Sequence, residues 1–498
     1  MAKLYKKEAV TNVIFAFMLG LFCLAFAGII LFFPPGFVVR LSLIIFAFFI
    51  IIIAWGLREK SNAAPNQLLI GLTTLVVVLS IVWPRYFFFN LGPLPKINPL
   101  TLTEFVTCIV IILSATYSPS FSSNLYKTIK NGGWIFKLAI IWLVWRLIAN
   151  FLGEYPVSSV LEFMRETIFV SSFLLFGLVI ASYDEGPKRM VHYILLAGFI
   201  VSFAGLVEAF QQKNYFVGFA PQDTDGELSK VIATITAEKI RSGAYRVQST
   251  FDHPIVFSQF AAALIPMSIY GIFYGFNRFW RLLSFLILPI TFLAIIKSGS
   301  RSGIASFVVA IAFMGALFWS KAIVHGKISK FVALLGIPIL FVGMGIGAYI
   351  LQELTYGGGH TESGSSSWRM VMINMGIKAL WDSPFWGFGQ GMAVIKAGIT
   401  NSNGIHTIDS YLLTIALDSG YIGLILFLLL IVVFCFKGFK YAIFRTGDEG
   451  LFVGACVASC LALVTTFSIL SIVNNMTLFW LLMASTFPYM GNKTKGIQ

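Results

Sequence analysis

A histidine and an aspartate lie three residues apart in the segment NGIHTIDSYLL, residues 403–413. His406 is one of only five histidines in a chain of 498 residues. If the segment begins a helix, a spacing of three places His406 and Asp409 on one helix face. The imidazole would then be a candidate general base near neutral pH, with Asp409 to orient it and to stabilise its protonated form. The structural alternative is a histidine that only caps the start of a helix or is exposed to solvent there.

Three arginines precede this pair in small or polar surroundings. Arg246 lies in RVQSTFDHP, Arg301 in SGSRSG and Arg369 in SSSWRM. Guanidinium groups suit phosphate oxygens and stay charged. SGSRSG directly precedes an apolar segment, so a helix N-terminus and its backbone N–H groups would join Arg301 in holding an anion. Any one of these arginines is equally well explained as a snorkelling anchor at a membrane boundary, but three of them favour an anion site.

Other charged residues carry weaker signals. Glu162 and Arg165 have the spacing of a one-turn ion pair, and structural pairing explains the intramembrane charges at least as well as function does. The same holds for Arg146, Glu166 and Glu208. The triplet at residues 223–225, Asp-Thr-Asp, is read as an acidic loop, because two carboxylates alone do not make a metal site. No metal site and no cofactor are predicted.

The composition then shows which elements must position these residues. The chain is 58% hydrophobic, 16% aromatic and only 11% charged, which excludes a soluble globular protein. Apolar runs of about 20 residues predict an all-α polytopic membrane protein with about 12–14 transmembrane helices. The candidate segments are 13–33, 37–57, 66–84, 101–117, 134–152, 159–181, 190–210, 254–275, 282–297, 302–320, 330–350, 419–436, 450–470 and 474–490.

The net charge of +14 follows a topological pattern rather than indicating nucleic acid as a partner. With the N-terminus in the cytoplasm, every inside loop carries lysine or arginine, and both termini are cytoplasmic. The predicted organisation is N-terminal transmembrane helices (1–210), a first long periplasmic loop (211–253), transmembrane helices with the SGSRSG turn (254–350), a large periplasmic loop (351–418) and C-terminal transmembrane helices (419–498). Residues 365–391 of the large loop predict a surface helix followed by a turn.

From Arg246 to Leu430, these motifs in this order resemble the O-antigen ligase and polymerase family of bacterial surface-glycan enzymes. The resemblance is based on the stretches RVQSTFDHP, SGSRSG, SSSWRM followed by ALWDSPFWGFGQG, and HTIDSYLLTIALDSGYIGLILF. The resemblance implies a metal-independent glycosyltransferase of the plasma (cell inner) membrane with its active site facing the periplasm. It would move a glycan from an undecaprenyl-diphosphate carrier to an acceptor hydroxyl. The diphosphate-binding candidates are Arg246, Arg301 and Arg369, and the catalytic candidates are His406 and Asp409.

The resemblance also implies partners: the undecaprenyl-diphosphate-linked donor, a glycan or lipid-linked acceptor, membrane lipids, and other polysaccharide assembly and export proteins. In typical ligases the histidine is followed at once by Asn, Ser, Tyr and Leu. Here Ser410-Tyr411-Leu412 aligns with that block, so Asp409 stands at the Asn position and His406 is two residues early. This pattern favours a polymerase of exopolysaccharide, capsule or O-antigen repeat units over a ligase that joins glycan to lipid A–core.

A membrane transporter or lipid-glycan flippase is the alternative from another class. Transporters tend to have internal repeats and polar residues near the membrane midplane. In this sequence the polar residues cluster at the predicted outer boundary, which favours an enzyme.

Overall fold

The computed structural model of the protein describes residues 63–88, 98–220, 226–241, 243–326, 360–400, 406–471 and 473–491. Within these residues the chain is mostly helical. The helices are α1 (Asn66–Val82), α2 (Pro99–Tyr117), α3 (Pro119–Leu152), α4 (Pro156–Glu166), α5 (Ser172–Ala181), α6 (Gly186–Gln211), α7 (Gly226–Thr236), α8 (Pro254–Tyr274), α9 (Arg278–Lys297), α10 (Arg301–Val324), α11 (His360–Leu380), α12 (Ala393–Ala397), α13 (Tyr411–Phe444), α14 (Asp448–Phe467), α15 (Met476–Ser485) and α16 (Phe487–Met490).

Short elements complete the described chain. A π-helical turn, Thr167–Ser171, joins α4 to α5, and a 3-10 turn covers Phe216–Phe219. Two antiparallel hairpins of two-residue strands lie in the polar segments: β1 (Ile240–Arg241) with β2 (Ala244–Tyr245), and β3 (Ile399–Thr400) with β4 (His406–Thr407).

Nine helical spans within the described residues are long and apolar enough to cross a membrane. They are α2, α3, α4 with α5, α6, α8, α9, α10, α13 and α14. The protein is therefore an all-α polytopic membrane protein, as the composition predicts. Each predicted apolar segment that falls within the described residues is helical. The predicted segments 13–33, 37–57 and 330–350 lie outside the described residues.

The chain divides into two compact units. The first comprises Met1–Pro65 and Ile109–Ser123; its described part is residues 63–65 and 109–123, the end of α2 and the start of α3. The second comprises Asn66–Cys108 and Asn124–Gln498 and contains every residue considered below.

Helix α8 lies at the centre of the packing in the second unit, between α9, α10 and α14. Small side chains permit the close approach: Ala261 and Ala262 of α8 and Ala462 of α14 are fully buried in one cluster. Polar groups join the same helices, since the Ser459 hydroxyl donates to the carbonyl of Ala263 at 2.7 Å. Small residues and interhelical hydrogen bonds are what hold helices together where lipid removes the hydrophobic drive.

The second unit has two polar ends. At one, Asp448 accepts a hydrogen bond from the Tyr270 hydroxyl (2.7 Å) and pairs with Lys188 (2.5 Å), which joins the starts of α6 and α14 to the end of α8. At the other, Glu208 near the end of α6 accepts from the backbone N–H groups of Gln248 (3.2 Å) and Ser249 (2.7 Å), just before α8. We call these the Asp448 end and the Glu208 end.

Candidate active site

At the Glu208 end, Arg246 contacts the turn between α9 and α10 that leads into Arg301. The Nε of Arg246 donates to the carbonyl of Ser298 at 2.8 Å. Gly299 makes this approach possible: its φ is +58°, and a Cβ there would lie 3.3 Å from the Nε of Arg246. Glycine takes this left-handed backbone conformation without the strain that a side chain would add. Arg301, the first residue of α10, follows at once.

Two helix N-termini lie side by side at this point. The Ser300 side chain caps α10 by accepting from the N–H of Gly303 at 3.2 Å. In the first turn of α10, a Cβ on Gly303 would lie 2.5 Å from the Oγ of Ser258, which is one turn into α8. The positive ends of two helix dipoles are therefore adjacent. Together with Arg246 and Arg301 they form an arrangement suited to phosphate.

A buried carboxylate positions the Arg246 segment. Besides the two backbone N–H groups, Glu208 accepts from the Tyr245 hydroxyl at 3.0 Å, one residue before Arg246. The backbone N–H of Val247, one residue after it, donates to the carbonyl of Lys297 at 3.2 Å. The side chain of Glu208 is only 3% exposed, so its charge is compensated by these donors. Glu208 is a positioning residue for Arg246.

Arg369 and Asp409 form an ion pair, which joins two of the predicted site residues directly. The Nε of Arg369 lies 3.2 Å from Oδ2 of Asp409, and both side chains are half-buried. The contact links α11 to the segment before α13.

The prediction that His406 and Asp409 share the first turn of a helix is wrong. His406 lies in strand β4, opposite Thr400, and α13 begins only at Tyr411. Ser410, with φ +100°, breaks the chain direction and caps α13 by accepting from the N–H of Leu413 at 3.4 Å. In this extended segment His406 and Thr407 are exposed, whereas Ile408 is buried.

The loop between α14 and α15 links both halves of the candidate site. The hydroxyl of Ser471 donates to the carbonyl of Ile408, next to Asp409. Three residues later, the Nδ2 of Asn474 donates to the carboxylate of Asp252 at 2.7 Å. At most about 11 Å of chain separates the two loop residues. Sequence reasoning missed this loop, although a polar Asn-Asn pair directly before an apolar run is a visible signal.

A buried polar network lies next to the GFGQG turn, residues 387–391. Arg146 of α3 and Glu166 of α4 form two parallel hydrogen bonds, at 2.8 and 2.9 Å. Arg146 also donates to the side-chain oxygen of Gln390 at 3.0 Å, and Gln390 donates to Glu166. Asp418 of α13 accepts from the N–H of Ala393 at 3.0 Å. Arg146 and Glu166 stand out in the sequence as intramembrane charges, but their spacing does not predict that they pair with each other.

The predicted one-turn pair of Glu162 and Arg165 is confirmed, at 2.6 Å on an exposed face of α4. Within the described ranges, no group of three or more histidine, cysteine, aspartate or glutamate side chains could hold a metal ion. The acidic triplet at 223–225 lies outside the described residues.

Residues 287–428 match the family model for O-antigen ligase. The matched segment begins within α9 and ends within α13, and it contains Arg301, Arg369, His406 and Asp409. Arg246 lies outside it. No curated protein matches the chain. Over the matched segment, the family match confirms the resemblance that the motifs predict.

Proposed function

From the family match over residues 287–428, we propose that the protein is an integral-membrane glycosyltransferase of the O-antigen ligase and polymerase type. It transfers a glycan from an undecaprenyl-diphosphate carrier to a hydroxyl of an acceptor sugar, at the periplasmic face of the plasma membrane. The observation that carries the proposal is that Arg246 contacts the turn leading into Arg301, next to two adjacent helix N-termini. A lipid-linked diphosphate is an anion of the kind that this arrangement suits.

In the proposed reaction, the acceptor oxygen forms a bond to the anomeric carbon of the donor glycan. The bond between that carbon and the diphosphate oxygen breaks, and undecaprenyl diphosphate leaves with the electron pair. The proton of the acceptor hydroxyl passes to a base, for which His406 and Asp409 are the candidates. Arg246, Arg301 and the helix dipoles stabilise the negative charge that develops on the leaving diphosphate.

We favour polymerisation of repeat units over ligation to lipid A–core. The support is Asp409, which stands where typical ligases carry asparagine. The purified protein should therefore extend defined undecaprenyl-diphosphate repeat units in the absence of any lipid A–core acceptor. A product that forms only after lipid A–core is added would identify a ligase. No transfer to either acceptor would show that the glycosyltransferase proposal is wrong.

Arg301 tests the diphosphate role. Replacing Arg301 by Ala removes one of the positive charges that stabilise the departing diphosphate, so the rate of transfer should fall by about 100-fold or more. The amount of protein in the membrane should not change, since the side chain is half-exposed at a helix start. Arg301→Lys keeps the charge and should retain part of the activity.

Arg278 supplies a matched control. It is likewise the first residue of a membrane helix, α9, but it lies toward the Asp448 end. Arg278→Ala should leave transfer unchanged. Normal polymer from Arg301→Ala, or an equal loss from both variants, would contradict a specific role for Arg301.

A further inference from the structure

His253 caps helix α8 in a way that fixes the position of its ring proton. Its Nδ1 accepts a hydrogen bond from the backbone N–H of Ile255 at 3.1 Å. A backbone N–H can only donate, so Nδ1 must carry the lone pair. In the neutral ring the proton therefore lies on Nε2, which is a donor and not a base.

The surroundings keep this ring neutral. Burial, followed by the positive charges of Arg246 and Lys239, lowers the pKa of His253 to about 3. Lys239 itself lies against Arg246, whose backbone N–H donates to the Lys239 carbonyl at 2.8 Å. The carboxylate of the adjacent Asp252 is engaged by Asn474. His253 thus stays uncharged throughout the physiological range, although its ring belongs to a cationic cluster.

The position of the ring relates it to the proposed diphosphate site. His253 stands at the N-terminus of α8, and the first turns of α8 and α10 are in contact through Ser258 and Gly303. Arg301 begins α10, and Arg246 is seven residues before His253. Among the described residues, the only hydrogen bond of the ring is the one from Ile255. Its Nε2–H is available to a ligand at this helix pair.

We propose that His253 is a further catalytic residue, which donates a hydrogen bond from Nε2 to an oxygen of the lipid diphosphate beside Arg246 and Arg301. The inference rests on the proposed function. A neutral donor strengthens its bond as charge develops on the departing diphosphate. This role also means that His253 is not the base of the reaction. Its Nδ1 lone pair already accepts a hydrogen bond from Ile255, so the ring cannot take the proton of the acceptor hydroxyl.

Two substitutions separate the cap from the donor. In His253→Asn, the side-chain oxygen replaces Nδ1 as the helix cap, but the short amide does not reach the position of Nε2. In His253→Gln, the longer amide nitrogen reaches that position, while the cap is lost. We expect transfer to fall about 100-fold in His253→Asn with thermal unfolding unchanged. In His253→Gln we expect transfer within about tenfold of the wild type and a lower unfolding temperature.

The opposite pattern, an active His253→Asn and an inactive His253→Gln, would reduce His253 to a structural cap and overturn the inference. If His253→Gln does not fold, the ratio of wild-type to His253→Asn activity decides the matter. For a neutral donor the ratio is large and constant between about pH 5.5 and 8. A ratio that grows below about pH 6.5 would identify an imidazolium, and a ratio near one would remove the ring from the reaction.

The wild type and Arg301→Ala are measured alongside these variants. Transfer by the wild type that is lost in Arg301→Ala, with His253→Asn fully active, overturns only the role of His253. Failure of the wild type to use any undecaprenyl-diphosphate donor overturns the proposed function itself.

Discussion

The Arg369–Asp409 pair holds a cation and a carboxylate beside the segment that carries His406. The two side chains are 29% and 30% exposed, and ion pairs this accessible add little to folding stability. The main effect of the pair is therefore to fix the positions of the Arg369 and Asp409 side chains. One oxygen of Asp409 accepts from Arg369, and the other is oriented by the same contact.

We expect different losses of transfer activity when His406 and Asp409 are replaced. His406→Ala removes one of the two candidate bases and should lower transfer by about 100-fold or more. Asp409→Asn keeps the size of the side chain but removes the charge that faces Arg369, and we expect a smaller loss, of about tenfold. The measurement is the initial rate of glycan transfer by purified variants.

Thr407→Val is the matched control on the same strand, since it preserves shape and lies next to His406. Full activity in both His406→Ala and Asp409→Asn would show that no base resides in residues 403–413. A larger loss in Asp409→Asn than in His406→Ala would assign the proton transfer to the carboxylate.

At the scale of elements, the buried network joins four parts of the second unit: α3, α4, the GFGQG turn and α13. Arg146 is 5% exposed and sits 4.7 Å from the ring of Trp142, so it is shielded from solvent. Breaking a buried ion pair costs about 3–5 kcal/mol, because an uncompensated charge remains. Gln390 is bonded to both members of the pair, so the pair also holds the turn that leads into α12 in place. The turn also packs closely against α13, since a Cβ on Gly387 would lie 2.7 Å from the backbone nitrogen of Gly420.

Glu166→Gln should therefore lower the free energy of unfolding by about 3–5 kcal/mol, because Arg146 remains charged and loses its partner. Thermal unfolding in detergent measures the loss. Replacing both Arg146 and Glu166 by Met should restore most of the stability, since a buried pair can be exchanged for apolar side chains at little cost.

Glu162→Gln is the internal control for this prediction. It makes the same chemical change on the same helix, but its partner Arg165 is exposed, so unfolding should not shift measurably. Equal unfolding temperatures for Glu166→Gln and Glu162→Gln would mean that the buried pair does not stabilise the protein.

The helices could be predicted from the sequence because hydropathy and length are local properties. The 19-residue helix α2 is an example, since its single carboxylate, Glu104, does not prevent an apolar span. The partner of Arg146 could not be predicted in the same way: Glu166 is 20 residues away and Gln390 is 244 residues away. The prediction of a helix start at His406 was wrong for a different reason. The chain changes direction at Ser410, whose φ is positive, and the spacing of apolar residues does not reveal such a change. The cap of α8 did leave a signal, since Pro254 marks a first helical position and the preceding residue is the cap.

At the scale of the whole second unit, the arginines and helix N-termini of the proposed site gather at the Glu208 end, while Lys188 and Asp448 mark the opposite end. This separation matters for function, because a lipid-linked donor displayed at one membrane face requires all its binding groups at that face. The positive-inside rule predicts that the Asp448 end lies in the cytoplasm, since its short loops carry lysine and arginine, and that the Glu208 end faces the periplasm.

Single cysteines at the two ends test this orientation. Ala244 in β2 is exposed at the Glu208 end, and Asp184 is exposed in the turn between α5 and α6 at the Asp448 end. In intact spheroplasts, a membrane-impermeant maleimide should label Ala244→Cys at once and Asp184→Cys only after lysis. The native cysteines within the described residues lie in apolar helices, and the parent protein measures their background. Rapid labelling of Asp184→Cys with protection of Ala244→Cys would place the arginines in the cytoplasm, where a periplasmic glycosyl transfer from the lipid carrier could not occur.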